Sequence, residues 1–203
     1  MRWRPPANGQ SAAPIPPCDS LPARAKDGRM RRLFLIRHAK AESAVVRDDY
    51  ERALAHRGRE DARRVAAALA ARDMLPERLI HSGALRTEQT AQVFAAEWPR
   101  RAPLSEELEL YEATQAMLFA RTRALPDSSA SIGLVGHNPG IGELAVTLAG
   151  AGEEPELRRM AQKFPTCAVA VLDFEVSSWE DVERRGARLA LFLTPAELEA
   201  ETE

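Results

Sequence analysis

The run Leu33 to Lys40, LFLIRHAK, constrains this chain more than any other stretch. Leu33, Phe34, Leu35 and Ile36 are consecutive apolar residues, the pattern of a short strand buried on both faces. Such strands belong to layered α/β sheets, whose ligands gather beyond the carboxyl ends of the strands. Here the strand stops at Arg37-His38. A guanidinium holds phosphate oxygens through two parallel hydrogen bonds, and an imidazole nitrogen can attack phosphorus. Phosphoryl transfer is the chemistry this suggests. A lone Arg-His pair is weak evidence for it, so the rest of the chain has to supply the partners.

Strands and helices alternate along that remainder. Strand 31–37 leads through a polar connection, 38–57, to a helix over 58–72, where Ala62, Val65, Ala66, Leu69 and Ala70 recur at helical spacing. A short strand at 79–81 ends in the turn Ser82-Gly83-Ala84. A helix from Leu85 to Trp98 follows, with Arg86 in its first turn. Residues 104–111 mix Glu and Leu and read either way. A helix is predicted over 114–125 and a third buried strand over 131–136, ending at His137-Asn138-Pro139-Gly140. Ile141, Leu144, Ala145, Leu148 and Ala149 mark the next helix, closed by Gly150 and Gly152. A charged helix spans 153–163. Strands at 168–174 and 187–193 flank a polar, hairpin-like link at 179–186, and Thr194-Pro195-Ala196-Glu197 caps a last helix. The pattern predicts an α/β fold, a three-layer α/β/α sandwich.

Three of these units share one layout of strand, sharp turn and helix. They carry Arg37-His38, Arg86 and His137-Asn138 to one edge of the sheet. Two arginines and two histidines there make a cationic cup suited to a tetrahedral phosphoryl group, whose charge lies on its non-bridging oxygens. The helix N-termini after the turns add backbone N–H donors. The neighbouring cations are expected to lower the pKa of His38 and keep its attacking nitrogen neutral. His56 reads as structural or solvent-facing and His81 as a packing residue at a strand end. Asp48, Asp49 and Arg52 read as a loop-ordering ion-pair set, and Lys40 as either a phosphate-steering or a solvated charge.

Composition sets the limits. The chain has 203 residues, 45 % of them apolar, and a net charge of −2. That is enough for one domain of ordinary size, and it gives no reason to expect nucleic acid or a membrane surface as a partner. No apolar run has the length of a membrane span. Cys18 and Cys167 lack metal-ligand spacing and fit reduced thiols in a cytoplasmic protein. Residues 1–29 hold Pro5, Pro6, Pro14, Pro16, Pro17 and Pro22. They also hold Arg2, Arg4, Arg24, Lys26 and Arg29 against Asp19 and Asp27. This Pro-rich basic segment is expected to be disordered and to add nothing to the domain at 30–203. It reads as a functionless tail, as a consequence of translation starting at Met30, or as a basic tail with a role.

Several motifs carry a family resemblance: LFLIRHAKAES at 33–43, DYERALAHRG at 49–58, SGALRTEQTA at 82–91, LVGHNPGIGELA at 134–145 and KFPTCAVAVLDF at 163–174. The chain resembles the histidine phosphatase superfamily, the phosphoglycerate mutase-like proteins. Within it, the chain looks most like the small SixA-type phosphohistidine phosphatases. The resemblance covers about residues 31–198 and implies a phosphoglycerate mutase-like fold with a mostly parallel central sheet. It also implies His38 as the nucleophile that becomes a phosphohistidine, and Arg37, Arg86 and His137 as phosphoryl ligands, with no metal or other cofactor. Ala39 stands where mutase-like members carry Gly, His81 and Gly83 where Ser and Pro are common, and Cys167 where Gly is common. Larger members use a carboxylate as proton donor. Glu107, Glu109 and Glu112 lie in the corresponding region and read either as candidates for that role or as a solvated acidic loop.

The expected function is a phosphatase acting on phosphohistidine in a phosphotransfer protein. One alternative is a phosphomonoesterase acting on a small phosphorylated metabolite, and another is an inactive phosphate-binding module.

Overall fold

The computed structural model describes residues 30–43, 48–100 and 102–200. The segment 1–29, with its expected disorder, lies outside the described residues, as does Cys18.

β1 (Arg31–Arg37) sits at the centre of a seven-stranded sheet with β2 (Arg78–His81), β3 (Leu104–Glu106), β4 (Ser131–Gly136), β5 (Ala149–Ala151), β6 (Val169–Phe174) and β7 (Ala187–Leu193). Their order across the sheet is β3-β2-β4-β1-β6-β7-β5. Only the pairings of β6 with β1 and with β7 are antiparallel, so the sheet is mostly parallel.

Side chains along β1 alternate between the two faces, as the two-residue period of a strand requires. Leu33 and Leu35 join one apolar core, with Leu118, Leu144, Leu148 and Trp179. Phe34 and Ile36 join the other, with Val65, Leu69, Phe94 and Trp98. The second core is roofed by α1 (His56–Ala71) and α2 (Leu85–Glu97), and the first by α3 (Gln115–Arg123), α4 (Gly140–Leu148) and α5 (Glu154–Gln162). This is a three-layer α/β/α sandwich. A last helix, α6 (Pro195–Ala200), follows the predicted capping box, in which the backbone N–H of Thr194 donates to the Glu197 carboxylate at 2.9 Å.

Some local expectations are corrected. α4 ends at Ala149, which turns extended and starts the edge strand β5, so the two glycines do not close the helix. The ambiguous run at 104–111 divides into β3 and a 3-10 turn at Leu108–Leu110. The link after β6 is more than polar: Trp179 opens a 3-10 turn and is wholly buried. Local sequence does not show this, because its partners, Arg31, Asp127 and Ser129, lie far away in the chain.

Candidate active site

Parallel register brings three strand ends level with one another. Arg37 pairs with Gly136 across β1 and β4, and His81 pairs with Val135 across β2 and β4. His38, Ser82 and His137 are each the next residue beyond those ends, so the turns after β1, β2 and β4 share one edge.

His38 is pinned through its backbone. Its N–H donates to the Gly136 carbonyl at 3.0 Å, and its own carbonyl accepts from the Cys167 N–H at 3.1 Å. Cys167 is fully buried at φ 62°, a left-handed conformation that explains why Gly suits this position. The His38 ring is fixed as well. Nδ1 lies 2.8 Å from the Ala39 carbonyl, which can only accept, so Nδ1 carries the proton. In the neutral ring Nε2 then holds the lone pair. Burial first, and then the charges of Arg86, Arg37 and Arg52, push the His38 pKa down to about 4. Neighbouring cations were expected to lower it, but desolvation is the larger cause.

The ring centroids of His38 and His137 are 5.2 Å apart. His137 Nε2 lies 2.7 Å from Ser82 Oγ, and its Nδ1 lies 3.3 Å from Arg86 Nη2. Arg37 reaches the same centre from the end of β1, and its charge helps lower the pKa of both histidines. Among the described residues its one side-chain hydrogen bond runs from Nη1 to the Phe164 carbonyl at 2.8 Å, which also accepts from the Asn138 amide at 2.9 Å. No carboxylate among the described residues pairs with Arg37, and its Nε is buried without a partner. The structure thus brings together the four residues Arg37, His38, Arg86 and His137.

It adds three residues that sequence reasoning left outside the cup. Asp49 was read as part of a loop ion-pair set. It does bind Arg52 at 2.7 Å, but its other oxygen accepts from Arg86 Nη2, also at 2.7 Å. Tyr111 donates its phenol to that same oxygen at 3.0 Å, and its ring stands edge-on to His137 with centroids 5.3 Å apart. Desolvation works against ionising Asp49, yet Tyr111 and the two guanidinium groups hold its carboxyl below the usual range. Arg52, the third, also acts on His38 by its charge. Tyr111 carries no sequence signal, since it lies in the stretch that reads either way. Asp49 and Arg52 lie within the second family motif, and that was the available clue.

Gly83 takes φ +81°, and a Cβ there would sit 2.3 Å from the Tyr50 hydroxyl. Only glycine leaves room for Tyr50 in that position.

The remaining candidates do not enter the cup. Glu107 is held by Arg121 through two contacts of 2.6 Å, and Glu109 and Glu112 are exposed. His81 is buried and accepts a hydrogen bond from the Gly83 N–H at 3.3 Å, a packing role, while His56 and Lys40 are exposed. Among the described residues no group of three or more His, Cys, Asp or Glu side chains is placed to hold a metal ion.

Known proteins resemble this chain. The family model of the histidine phosphatase superfamily (branch 1) matches residues 33–116. An uncharacterized protein of Mycobacterium tuberculosis is 31 % identical over 162 residues, which is 79 % of this chain and 99 % of that protein. Among solved structures, the protein proposed to be phosphohistidine phosphatase SixA of Nakamurella multipartitia superposes with a TM-score of 0.68 at 30 % identity, covering 82 % of this chain and 96 % of its own. Its Agrobacterium tumefaciens counterpart gives 0.68 at 29 % identity, with 81 % and 98 % covered.

Proposed function

Because this chain belongs to the histidine phosphatase superfamily and is a hydrolytic phosphatase, we propose that its substrate is phosphohistidine on a phosphotransfer protein and that His38 is its nucleophile. In the first step His38 Nε2 attacks phosphorus in line with the leaving nitrogen. The bond from phosphorus to the substrate imidazole breaks, and its electron pair stays with that nitrogen; the ring leaves as neutral imidazole because its other nitrogen carries a proton. Arg37, Arg86 and His137 hold the non-bridging oxygens, and the uncompensated charge of Arg37 stabilises the transition state. In the second step water attacks phosphorus, the bond from phosphorus to His38 Nε2 breaks with its electron pair returning to that nitrogen, and both water protons leave on inorganic phosphate. No step uses a metal ion.

One observation carries the choice of substrate. Two carboxylates near the cup are engaged: Asp49 by Arg86, Arg52 and Tyr111, and Glu107 by Arg121. An alkoxide leaving group, with basicity near that of hydroxide, needs a strong proton donor. Imidazole, whose conjugate acid has a pKa of about 6.5, needs far less help. The SixA-type neighbours support the same reading. No helix among the described residues is long and apolar enough to cross a membrane, and a cytoplasmic location is part of the proposal.

The test is a side-by-side comparison of kcat/KM for a phosphorylated histidine phosphotransfer domain and phosphoramidate against a panel of phosphate monoesters. The phosphorus–nitrogen substrates are expected to lead by at least about tenfold, a 1.4 kcal/mol difference in barrier. A monoester that leads by that margin would move the assignment to small metabolites.

A further inference from the structure

Arg86 has only N–H groups to offer. At 3.3 Å from Arg86 Nη2, His137 Nδ1 must therefore present its lone pair. In the neutral ring the proton then sits on Nε2 and is donated to Ser82 Oγ at 2.7 Å. Ser82 donates its hydroxyl hydrogen bond to Thr87 Oγ1 at 3.0 Å, and Thr87 donates to the Ala84 carbonyl at 2.7 Å. The two ends of this chain fix every direction within it. The opposite tautomer of His137 would turn the Ser82 hydroxyl away from Thr87 and leave two oxygen lone pairs facing each other. Ser82 and Thr87 are both 0 % exposed, so solvent does not relieve that conflict.

A lone pair on the cup side of His137 repels a phosphoryl dianion. A proton on the same nitrogen makes it a charged donor, with Nε2–H still held by Ser82. We propose that His137 takes up one proton at Nδ1 when a phosphoryl dianion enters the cup, and that Ser82 is the positioning residue that enforces this by holding Nε2–H. The proposal rests on the reading of the cup as a phosphoryl site.

The surroundings agree. Arg86 faces His137 from α2, Asp49 from its 3-10 turn, and Arg37 and His38 from the end of β1; the Tyr111 phenol is bound to Asp49. Burial first, then His38, Arg86 and Arg37, hold the His137 pKa at about 3 against the opposing pull of Asp49. A dianion among these groups reverses the sign of the local field and raises that pKa. Asp49 stays ionised near neutrality because its own pKa is depressed.

Sulfate tests the idea, since it is a tetrahedral dianion that does not titrate near neutrality. Calorimetric titration of the whole protein between pH 5 and 7, in buffers of different ionisation heat, reads both affinity and protons taken up. The expected result is a Kd that rises about tenfold per pH unit, with close to one proton bound per sulfate. His137→Gln should flatten this dependence, and His38→Gln should leave it. Ser82→Ala, or Thr87→Val if the first variant folds poorly, frees the ring to change tautomer and should lose most of the slope. A flat profile in the unaltered protein overturns the proposal, as does a slope that survives His137→Gln. A slope unchanged in both hydroxyl variants removes Ser82 from it. If sulfate does not bind at any pH, the phosphoryl reading of the cup itself is wrong.

Discussion

β1 carries a buried or half-buried arginine at each end, and the surroundings of the two differ in kind. At the amino end, Arg31 donates to the Asp127 carboxylate at 3.0 Å and to the carbonyls of Asp127, Ser129 and Ser177. Asp127 also accepts the Trp179 N–H, and Trp179 Nε1 donates to Ser129 at 2.9 Å. At the carboxyl end, the Arg37 side chain has, among the described residues, one carbonyl partner and no carboxylate. An unpartnered Nε does not separate the two, because both arginines have one. Charge compensation does. The amino end is neutralised and packed around an indole, whereas the carboxyl end keeps net positive charge among neutral histidines. The same side chain on the same strand serves as a fold element at one end and, in the proposed mechanism, as an anion ligand at the other.

The comparison breaks most sharply through activity. His38→Ala is expected to abolish turnover and to remove the acid-labile, base-stable phosphoryl label trapped by rapid quenching, with circular dichroism unchanged. Arg86→Ala keeps the nucleophile and should lose about 10²-fold or more in kcat. Residual turnover by His38→Ala at the original rate would end the assignment.

The amino end should answer in stability instead. Trp179→Ala empties a wholly buried indole site and should cost about 3–5 kcal/mol in denaturant unfolding, with kcat retained at low temperature. Comparable loss of kcat in the folded variant would show that the two ends are not separate.

Acid should unfold the protein through the carboxyl end. The His38 pKa is about 4 and that of His137 about 3 in the fold, against roughly 6.5 when unfolded. Below pH 6.5 the unfolded chain binds protons that the folded one refuses. Stability is therefore full above that pH and falls as pH drops toward 4, by at most about 1.4 kcal/mol per unit for each histidine. His81, also lowered by burial, adds in the same direction. The melting temperature of His38→Gln/His137→Gln should vary much less with pH between 6.5 and 4.5.

A smaller effect concerns Asp49, an internal anion seated on Arg86. Asp49→Asn should tighten inorganic phosphate, seen as several-fold stronger product inhibition. Weaker binding would mean that the carboxylate orients Arg86 rather than competing for it. No effect is expected from starting the chain at Met30, nor from excess chelator: melting temperature and rate should both stay as they were.

Much of this architecture was legible in the sequence, and the gaps have physical causes. Leu33–Ile36 and the run at 131–136 announce buried strands because apolar continuity is local. The cup residues are visible because each ends or directly follows a strand, or opens a helix. Asp49, Tyr111 and Trp179 were misplaced or missed because what defines them is contact across 37 to 62 positions of chain. No periodicity records such pairings. β5 escaped notice because three residues with a glycine between them carry no strand signal.

The backbone bonds around His38 have a mechanical consequence. The residue is anchored to the last residue of β4 on one side and to the stretch before β6 on the other, and Ala39 is tied by its N–H to Thr90 in α2 at 3.0 Å. A post fixed on three sides does not travel. The gap between phosphorus and nitrogen must then be closed by the phosphoryl group, which moves toward a stationary ring and retreats when water arrives. The amide of residue 38 should accordingly exchange its hydrogen with solvent equally slowly before and after phosphorylation.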